Sequence, residues 1–426
     1  MTITIFLASL LGTMSIGMPI AFALILCGVA LMLHLDMFDA QIIAQNVING
    51  ADSFPLMAVP FFLLAGEIMN AGGLSRRIVA VAMSLVGHRK GGLGYVAILA
   101  GCVLAALSGS AVADAAALGA LLVPMMARAG HDKARSAGLV AAAGCIGPVI
   151  PPSIGFIIFG VAGGLSITKL FLAGIVPGLL MGLSLAAAWW WVVRKDDVAP
   201  LPRRTGGQRM RALVEGFWAL MLPVLIIVGL KMGVFTPTEA AVVAVVYSLF
   251  VALVVYRELK PSDLYGLFLA TAKSSAVVMF LIAGALASAW LITVADLPGQ
   301  LVELLEPLME HKVLLMFAMM LLVVAIGTAM DMTPTILILT PVLLPVVKAA
   351  GIDPIYFGVL FIMNAAIGLI TPPVGTVLNV VASAGRISLE DVMKGVWPFL
   401  LAELAVLFLL VLFPSLVTVP AGWFAP

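Results

Sequence analysis

From Leu213 to Leu230 the chain carries one ionisable side chain, Glu215, and runs of the same apolar character recur from end to end. A helix needs roughly 20 apolar residues to cross a hydrocarbon core of about 30 Å. No water is available there, so every backbone N–H and C=O must be paired within a helix or a closed barrel. A barrel would show alternating segments of about ten residues. These runs are continuous, which predicts an all-α polytopic membrane protein. Composition agrees: of 426 residues, 63% are hydrophobic and 10% charged, and the mean hydropathy is +1.22. A soluble chain of that length would form two or three domains, whereas this composition belongs in a lipid bilayer.

The net charge of +1 offers no basic surface for nucleic acid, because the Lys and Arg residues lie in loops between the apolar runs. Cys27, Cys102 and Cys145 are odd in number, far apart and each within an apolar stretch. They suit neither a disulfide framework nor a metal site and read as small packing residues. No Lys or Arg precedes Arg76, so the basic region of a signal peptide is missing and the first helix is expected to stay in the protein.

The chain repeats itself. Pro124, Gly130, Gly147, Pro151, Pro152, Gly174 and Pro177 recur 221 residues later as Pro345, Gly351, Gly368, Pro372, Pro373, Gly395 and Pro398. Upstream the offset is 218, pairing Pro19 with Pro237, Gly66 with Gly284 and Gly109 with Gly327. The expected organisation is a first repeat over 1–193, a basic linker over 194–212 and a second repeat over 213–426. Five membrane spans are expected in each. They run near Ile3–Ile16, Pro19–Leu33, Ser53–Asn70, Ala134–Ala162 and Thr168–Val193, then near Leu213–Lys231, Pro237–Tyr256, Ala272–Val294, Pro354–Ala384 and Val392–Val417.

Between the third and fourth spans of each repeat lie two shorter apolar arms, Leu93–Leu107 with Asp114–Ala127, and Val313–Ala325 with Pro334–Lys348. At about 1.5 Å per residue each arm reaches only about 20–25 Å. They read as re-entrant helical hairpins over about 92–129 and 312–349. The fourth and ninth spans, about 134–162 and 354–384, read as broken helices. Two short tilted spans remain the alternative to each hairpin.

Five crossings per repeat place the two repeats in inverted orientation, and the loop charges test this through the positive-inside rule. Arg76, Arg77, Arg89 and Lys90 follow the third span, Arg194 to Arg211 join the repeats, and Arg257 and Lys260 follow the seventh. All fall on one side, the cytoplasmic one. Asp36, Asp39, Asp52, Asp296, Glu303, Glu306 and Glu310 fall on the other, with both termini periplasmic. Trp189, Trp190 and Trp191 form an interfacial anchor beside Arg194. Ser75 to Lys90 is too short to span easily; it lies along the interface or serves as an ordinary connecting helix.

Each hairpin turn is small and polar: Ser108-Gly109-Ser110 leading to Asp114, and Gly327-Thr328-Ala329-Met330-Asp331 leading to Pro334. The fourth and ninth spans are interrupted by Gly147-Pro148-Val149-Ile150-Pro151-Pro152-Ser153 and by Gly368-Leu369-Ile370-Thr371-Pro372-Pro373-Val374-Gly375-Thr376. Paired prolines remove N–H donors and end a helix. Discontinuities at matching places in two repeats point to a transport site. Freed carbonyls and the hydroxyls of Ser108, Ser110, Ser153, Thr328, Thr371 and Thr376 are hard oxygen ligands suited to sodium. Half-helix N-termini near Asp114, Ser153, Pro334 and Gly375 present N–H groups and positive dipole ends to an anion. Asp114 and Asp331 are costly if ionised in a membrane and so are candidates for cation or substrate binding; helix capping is the plain alternative. Glu67, Glu239, Lys231, Lys273 and Glu403 are read as snorkelling or paired between helices.

The runs PFFLLAGEIMNAGGLSRRI (Pro60–Ile78), LSGSAVADAAALGALLVPMM (Leu107–Met126), AAAGCIGPVIPPSI (Ala141–Ile154) and GLITPPVG (Gly368–Gly375) resemble the large membrane subunit of tripartite ATP-independent periplasmic (TRAP) transporters. The resemblance covers essentially the whole chain. It implies a sodium-driven elevator in the bacterial inner membrane, in which hairpins and broken helices form a mobile transport domain and the other spans a scaffold. It implies two partners, a small four-helix membrane subunit and a soluble periplasmic solute-binding protein that delivers an organic acid such as a C4-dicarboxylate. The small subunit is expected as a separate chain, since the first repeat begins almost at Met1. The family's cation-binding regions map onto Ser108–Ser110, Gly147–Ser153 (with Pro151), Gly327–Asp331 (with Met330) and Gly368–Thr376 (with Thr371 and Gly375). Pro152, Pro334, Pro373, Thr376 and Asp114 are expected to face the solute. No cofactor other than sodium ions is implied. Relatives place an Asn sooner after the second Pro-Pro than Asn379.

Two other readings compete. A stand-alone ion-coupled dicarboxylate or oxyanion transporter would need no binding protein. An intramembrane protease could use the two aspartates or Ser110, but Asp114 lacks a Gly-x-Gly-Asp setting and no His stands near Ser110 in sequence. The expected protein is a transporter and not an enzyme.

Overall fold

The computed structural model describes residues 2–424 apart from 197 and 199, with the side chains of residues 3 and 424 also left aside. Part of the linker expected over 194–212 and the outermost residues of both termini therefore lie outside the described residues. The first half of the chain forms α1 (Thr2–Ser15), α2 (Ile20–His34), α3 (Ala40–Ala51), α4 (Ala58–Ala71), α5 (Leu74–Val86), α6 (Gly92–Ser108), α7 (Ala111–Arg128), α8 (Lys133–Cys145), α9 (Ile154–Gly163) and α10 (Ile167–Val193). The second forms α11 (Gly206–Lys231), α12 (Pro237–Phe250), α13 (Leu264–Val294), α14 (Leu297–Met309), α15 (Lys312–Gly327), α16 (Met332–Ala349), α17 (Pro354–Gly368), α18 (Thr376–Gly385), α19 (Leu389–Leu412) and α20 (Ser415–Phe424). Among the described residues there is no strand, and eight helices are long and apolar enough to cross a membrane. The protein is all-α and polytopic.

Local chemistry sets the helix starts. Asp132 and Asp353, one offset of 221 apart, cap α8 and α17 by accepting from the N–H of Arg135 and Ile355. Thr205 and Thr236 open α11 and α12 with capping boxes. Val214, Phe217, Val224, Phe268 and Val277 on α11 and α13 stay exposed, as befits surfaces solvated by lipid rather than water.

Packing is reciprocal between the halves. α8 lies on α19 while α17 lies on α10; α7 lies on α18 while α16 lies on α9; α4 lies on α12 while α13 lies on α2. Backbones touch where glycine permits it: a Cβ on Gly395 would stand 2.0 Å from the Ala134 carbonyl oxygen, and one on Gly138 would stand 2.4 Å from the Gly395 carbonyl. The basic segments gather at one end. Glu258, beyond α12, pairs with Arg76 and, at 2.7 Å, with Arg77 of α5, and the Lys90 ammonium donates to the Arg194 carbonyl at 2.9 Å.

Several boundaries differ from expectation. The arms flanking the two turns are 17, 18, 16 and 18 residues long, because helix continues through Ala111–Ala113 and Met332–Thr333. α13 starts at Leu264 rather than near Ala272, and the run expected to end at Val417 stops at Leu412, where Pro414 follows and α20 begins. α3 and α14 were not foreseen; both are short and stand beside acidic loops. α5 buries Leu74, Ile78, Val79 and Ala82 and packs on α6 and α11.

Candidate functional site

Four helices meet at the first group of site residues. α6 ends at Ser108, Gly109 turns the chain in the left-handed region at φ +60°, and Ser110 caps α7 by accepting from the Ala113 N–H at 3.4 Å. The Ser108 hydroxyl donates to Asp114 Oδ1 at 2.6 Å and accepts from the Ser110 N–H at 3.2 Å. The interruption between α8 and α9 lies against this turn. A Cβ on Gly109 would stand 2.5 Å from the Pro152 carbonyl oxygen, and one on Gly147 2.8 Å from Asp114 Oδ2. The Ser153 hydroxyl donates to the Pro148 carbonyl and accepts from the Phe156 N–H, capping α9, and the Pro151–Pro152 bond is cis.

The second group repeats this plan with other side chains. Gly327 at the end of α15 meets Gly368 at the end of α17, where a Cβ on Gly368 would stand 2.8 Å from the Gly327 Cα. Asp331 occupies the N-cap position of α16, and its Oδ1 accepts from the Thr376 hydroxyl of α18 at 3.4 Å. Thr328 and Thr371 donate their hydroxyl protons to the carbonyls of Ala325 and Ile367, which leaves their lone pairs as acceptors. Met330 lies half-buried in the turn, its N–H returned to the Ile326 carbonyl. Pro334 is buried in the first turn of α16, and Pro373, Gly375 and Thr376 lead into α18; the Pro372–Pro373 bond is cis. A Cβ on Gly155 of α9 would stand 3.3 Å from the Met332 methyl group of α16, which brings the two groups side by side.

Each group thus joins the C-terminal ends of two helices, with carbonyls to spare, to the N-terminal starts of two more. The positive dipole ends there help a carboxylate tolerate burial. Exposure separates the groups. Asp114 and Ser153 are 3% and 0% exposed, whereas Asp331, Pro373 and Val374 are open. Neither aspartate is a cap: Ser110 performs that task at α7, and Asp331 makes no capping bond. Asp114 Oδ2 is buried with no hydrogen-bond partner. Among the described residues no cluster of three or more His, Cys, Asp or Glu could hold a metal; the side-chain groups that gather at the two turns are hydroxyl and carboxylate oxygens.

Two residues carry more than their sequence reading allowed. Glu403 of α19, read as snorkelling or paired, is fully buried with neither oxygen hydrogen-bonded, within electrostatic reach of Cys145 at the end of α8. Asn364 of α17, which the sequence did not single out, donates to the Met320 carbonyl at 2.7 Å while its own oxygen stays unpartnered. A buried acid without partners costs free energy that packing alone does not require. Glu403→Leu is therefore expected to leave thermal stability in detergent unchanged or higher, and a lower unfolding temperature would assign Glu403 to packing.

Residues 7–416 match the sequence profile of the family described as tripartite ATP-independent periplasmic transporter, DctM component. Over 423 residues the chain is 55% identical to the 2,3-diketo-L-gulonate TRAP transporter large permease protein of Escherichia coli (strain K12), covering 99% of this chain and 100% of that one. It is 38% identical over 405 residues to the sialic acid TRAP transporter large permease protein of Vibrio cholerae serotype O1, covering 95% of each. The solved structure of the Alcanivorax borkumensis YdaH transporter aligns with a TM-score of 0.66 at 17% identity over 92% of this chain and 91% of that one, a likeness of fold.

Proposed function

The chain belongs to the tripartite ATP-independent periplasmic transporter family as its large permease, a multi-pass inner-membrane protein, and on that premise we propose that it couples sodium entry to uptake of a small organic acid. The observation that carries this reading is the pairing of two helix breaks with two polar turns, which supplies carbonyl and hydroxyl oxygens for cations beside helix N-termini suited to a carboxylate. That relatives are named for 2,3-diketo-L-gulonate and sialic acid, both carboxylates, supports a solute of that class. A small membrane subunit and a periplasmic solute-binding protein complete the transporter.

We assign Ser108–Ser110, Gly147, Pro151 and Ser153 to one cation region, moving Asp114 there from the solute-facing set because it is bonded to Ser108, and Gly327–Asp331, Gly368, Thr371 and Gly375 to a second. Pro152, Pro334, Pro373 and Thr376 face the solute between them. The two repeats are inverted, with basic loops cytoplasmic and termini periplasmic, and α6–α9 with α15–α18 form the mobile part. Two clefts support that division. One of about 530 Å³, edged by Glu67, Asn70 and Arg76, separates α7 from α4 and α5; another of about 310 Å³, edged by Trp290, Thr293 and Lys348, separates α16 from α13. Loosely filled boundaries of this kind allow one body to slide past another.

The test is solute uptake into proteoliposomes holding the chain and its small subunit under an inward sodium gradient, with and without the periplasmic protein. Uptake needing both supports the proposal; uptake without the periplasmic protein favours a stand-alone carrier, and sodium-independent uptake removes the coupling. Asp331→Asn, which alters the exposed contact to Thr376, is expected to raise the half-saturating sodium concentration about threefold to tenfold, in line with the ~0.5–1.5 kcal/mol of one hydrogen bond. An unchanged sodium dependence would take Asp331 out of the second region.

A further inference from the structure

At the basic end of the molecule α5, the start of α11 and the linker border a cavity of about 720 Å³. Its floor includes Ala80, Met83 and Ala212, and its rim carries His88, Arg203, Arg204 and Arg211. The one lining carboxylate, Glu215, is taken by Arg211 at 2.8 Å. The neighbouring Arg209 has Nε and Nη2 buried without a hydrogen-bond partner, as has His88 at Nδ1. Among the described residues Arg203, Arg204 and Arg209 have no acidic partner. The His88 imidazole is held below its usual pKa, first by partial burial and then by Arg209, Arg203 and Arg89, so these guanidinium groups crowd one place.

We propose that this cavity binds a phosphate-bearing anion, with Arg203 and Arg204 of its lining as donors and the neighbouring Arg209 adding its charge beside His88. Guanidinium groups hold phosphate oxygens through paired N–H bonds, and a buried one without a partner is costly until an anion arrives. An apolar floor under a basic rim at one end of a membrane protein is the chemistry that takes an anionic lipid headgroup with its first acyl carbons; free phosphate would use the rim alone. Either ligand would tie the linker between the halves to α5, which packs on α6 and α11. This inference does not depend on the sodium reading.

The test uses the purified full chain with its small subunit in neutral detergent. Dioleoyl phosphatidylglycerol, dioleoyl phosphatidylcholine or inorganic phosphate is titrated in while thermal unfolding is followed and bound lipid is counted by native mass spectrometry. Phosphatidylglycerol is expected to protect saturably, and the double variant Arg203→Ala/Arg204→Ala to need about tenfold more of it, whereas Lys260→Ala behaves as wild type. Protection by inorganic phosphate alone, lost in the same double variant, would identify the free ion as ligand and equally support the site. Arg209→Met separates binding from folding: it is expected to raise the stability of the lipid-free protein while weakening protection. Equal protection by the two lipids with none from phosphate, or an unweakened effect in the double variant, would overturn the proposal.

Discussion

Asp114→Asn is expected to cut sodium-driven uptake at least about 30-fold while leaving the protein folded and bound to its small subunit. The substitution keeps the shape of the side chain and an oxygen to accept from Ser108, so the hairpin turn should persist. What it removes is the charge of a carboxylate that is 3% exposed and has one oxygen free of any partner. Its partner in the proposed cation region is a bound sodium ion; losing one member of such a buried charged pair costs ~2–5 kcal/mol, and the low end of that range is already about 30-fold in affinity. Uptake assays and thermal unfolding on the same preparation check the prediction. Near-normal uptake by the Asn variant would reduce Asp114 to a structural acid. Ser108→Ala, which removes one hydrogen bond and no charge, should lose several-fold less.

The largest effect on stability is expected at Gly395. An alanine there would place its Cβ 2.0 Å from the Ala134 carbonyl oxygen and 2.3 Å from the carbonyl carbon. Those are backbone atoms of a neighbouring helix, so no rotamer change relieves the clash and α8 and α19 must separate. Overpacking of this kind costs at least ~1–3 kcal/mol, and the contact lies in the tightest interface between the halves. Gly395→Ala should lower the unfolding temperature clearly and yield little transporter. Gly207→Ala, at a glycine with no neighbour within 4 Å, should not. Equal behaviour of the two variants would mean that α8 and α19 are not in backbone contact in the membrane.

Much of this architecture could be read from the chain because it is written in local chemistry. Pro151–Pro152 and Pro372–Pro373 cannot continue a helix, so the interruptions before Ile154 and Thr376 follow from residue type alone. Gly109 marks its turn in the same way. α7 starts at Ala111, three residues before the expected Asp114, because the Ser110 hydroxyl caps it. α3 and α14 escaped notice because their short amphipathic patterns do not resemble spans.

Tertiary facts were out of reach for a different reason. That Glu403 has no partner depends on α8 and α10, more than 200 residues earlier in the chain. The contrast between a sealed Asp114 and an open Asp331 likewise depends on which helices cover each turn. Repeat symmetry in a sequence says nothing about such inequality.

The exchange of partners between the halves bears on how the protein is made. When the first half leaves the ribosome, the faces of α7, α8 and α9 that will meet α18, α19 and α16 have nothing to rest on. Insertion of α1 to α10 can build the turn around Asp114, which α6 to α9 supply, but leaves those outer faces uncovered. Covering them is an event of the completed polypeptide, and the unfinished half must be sheltered within the bilayer until α19 arrives.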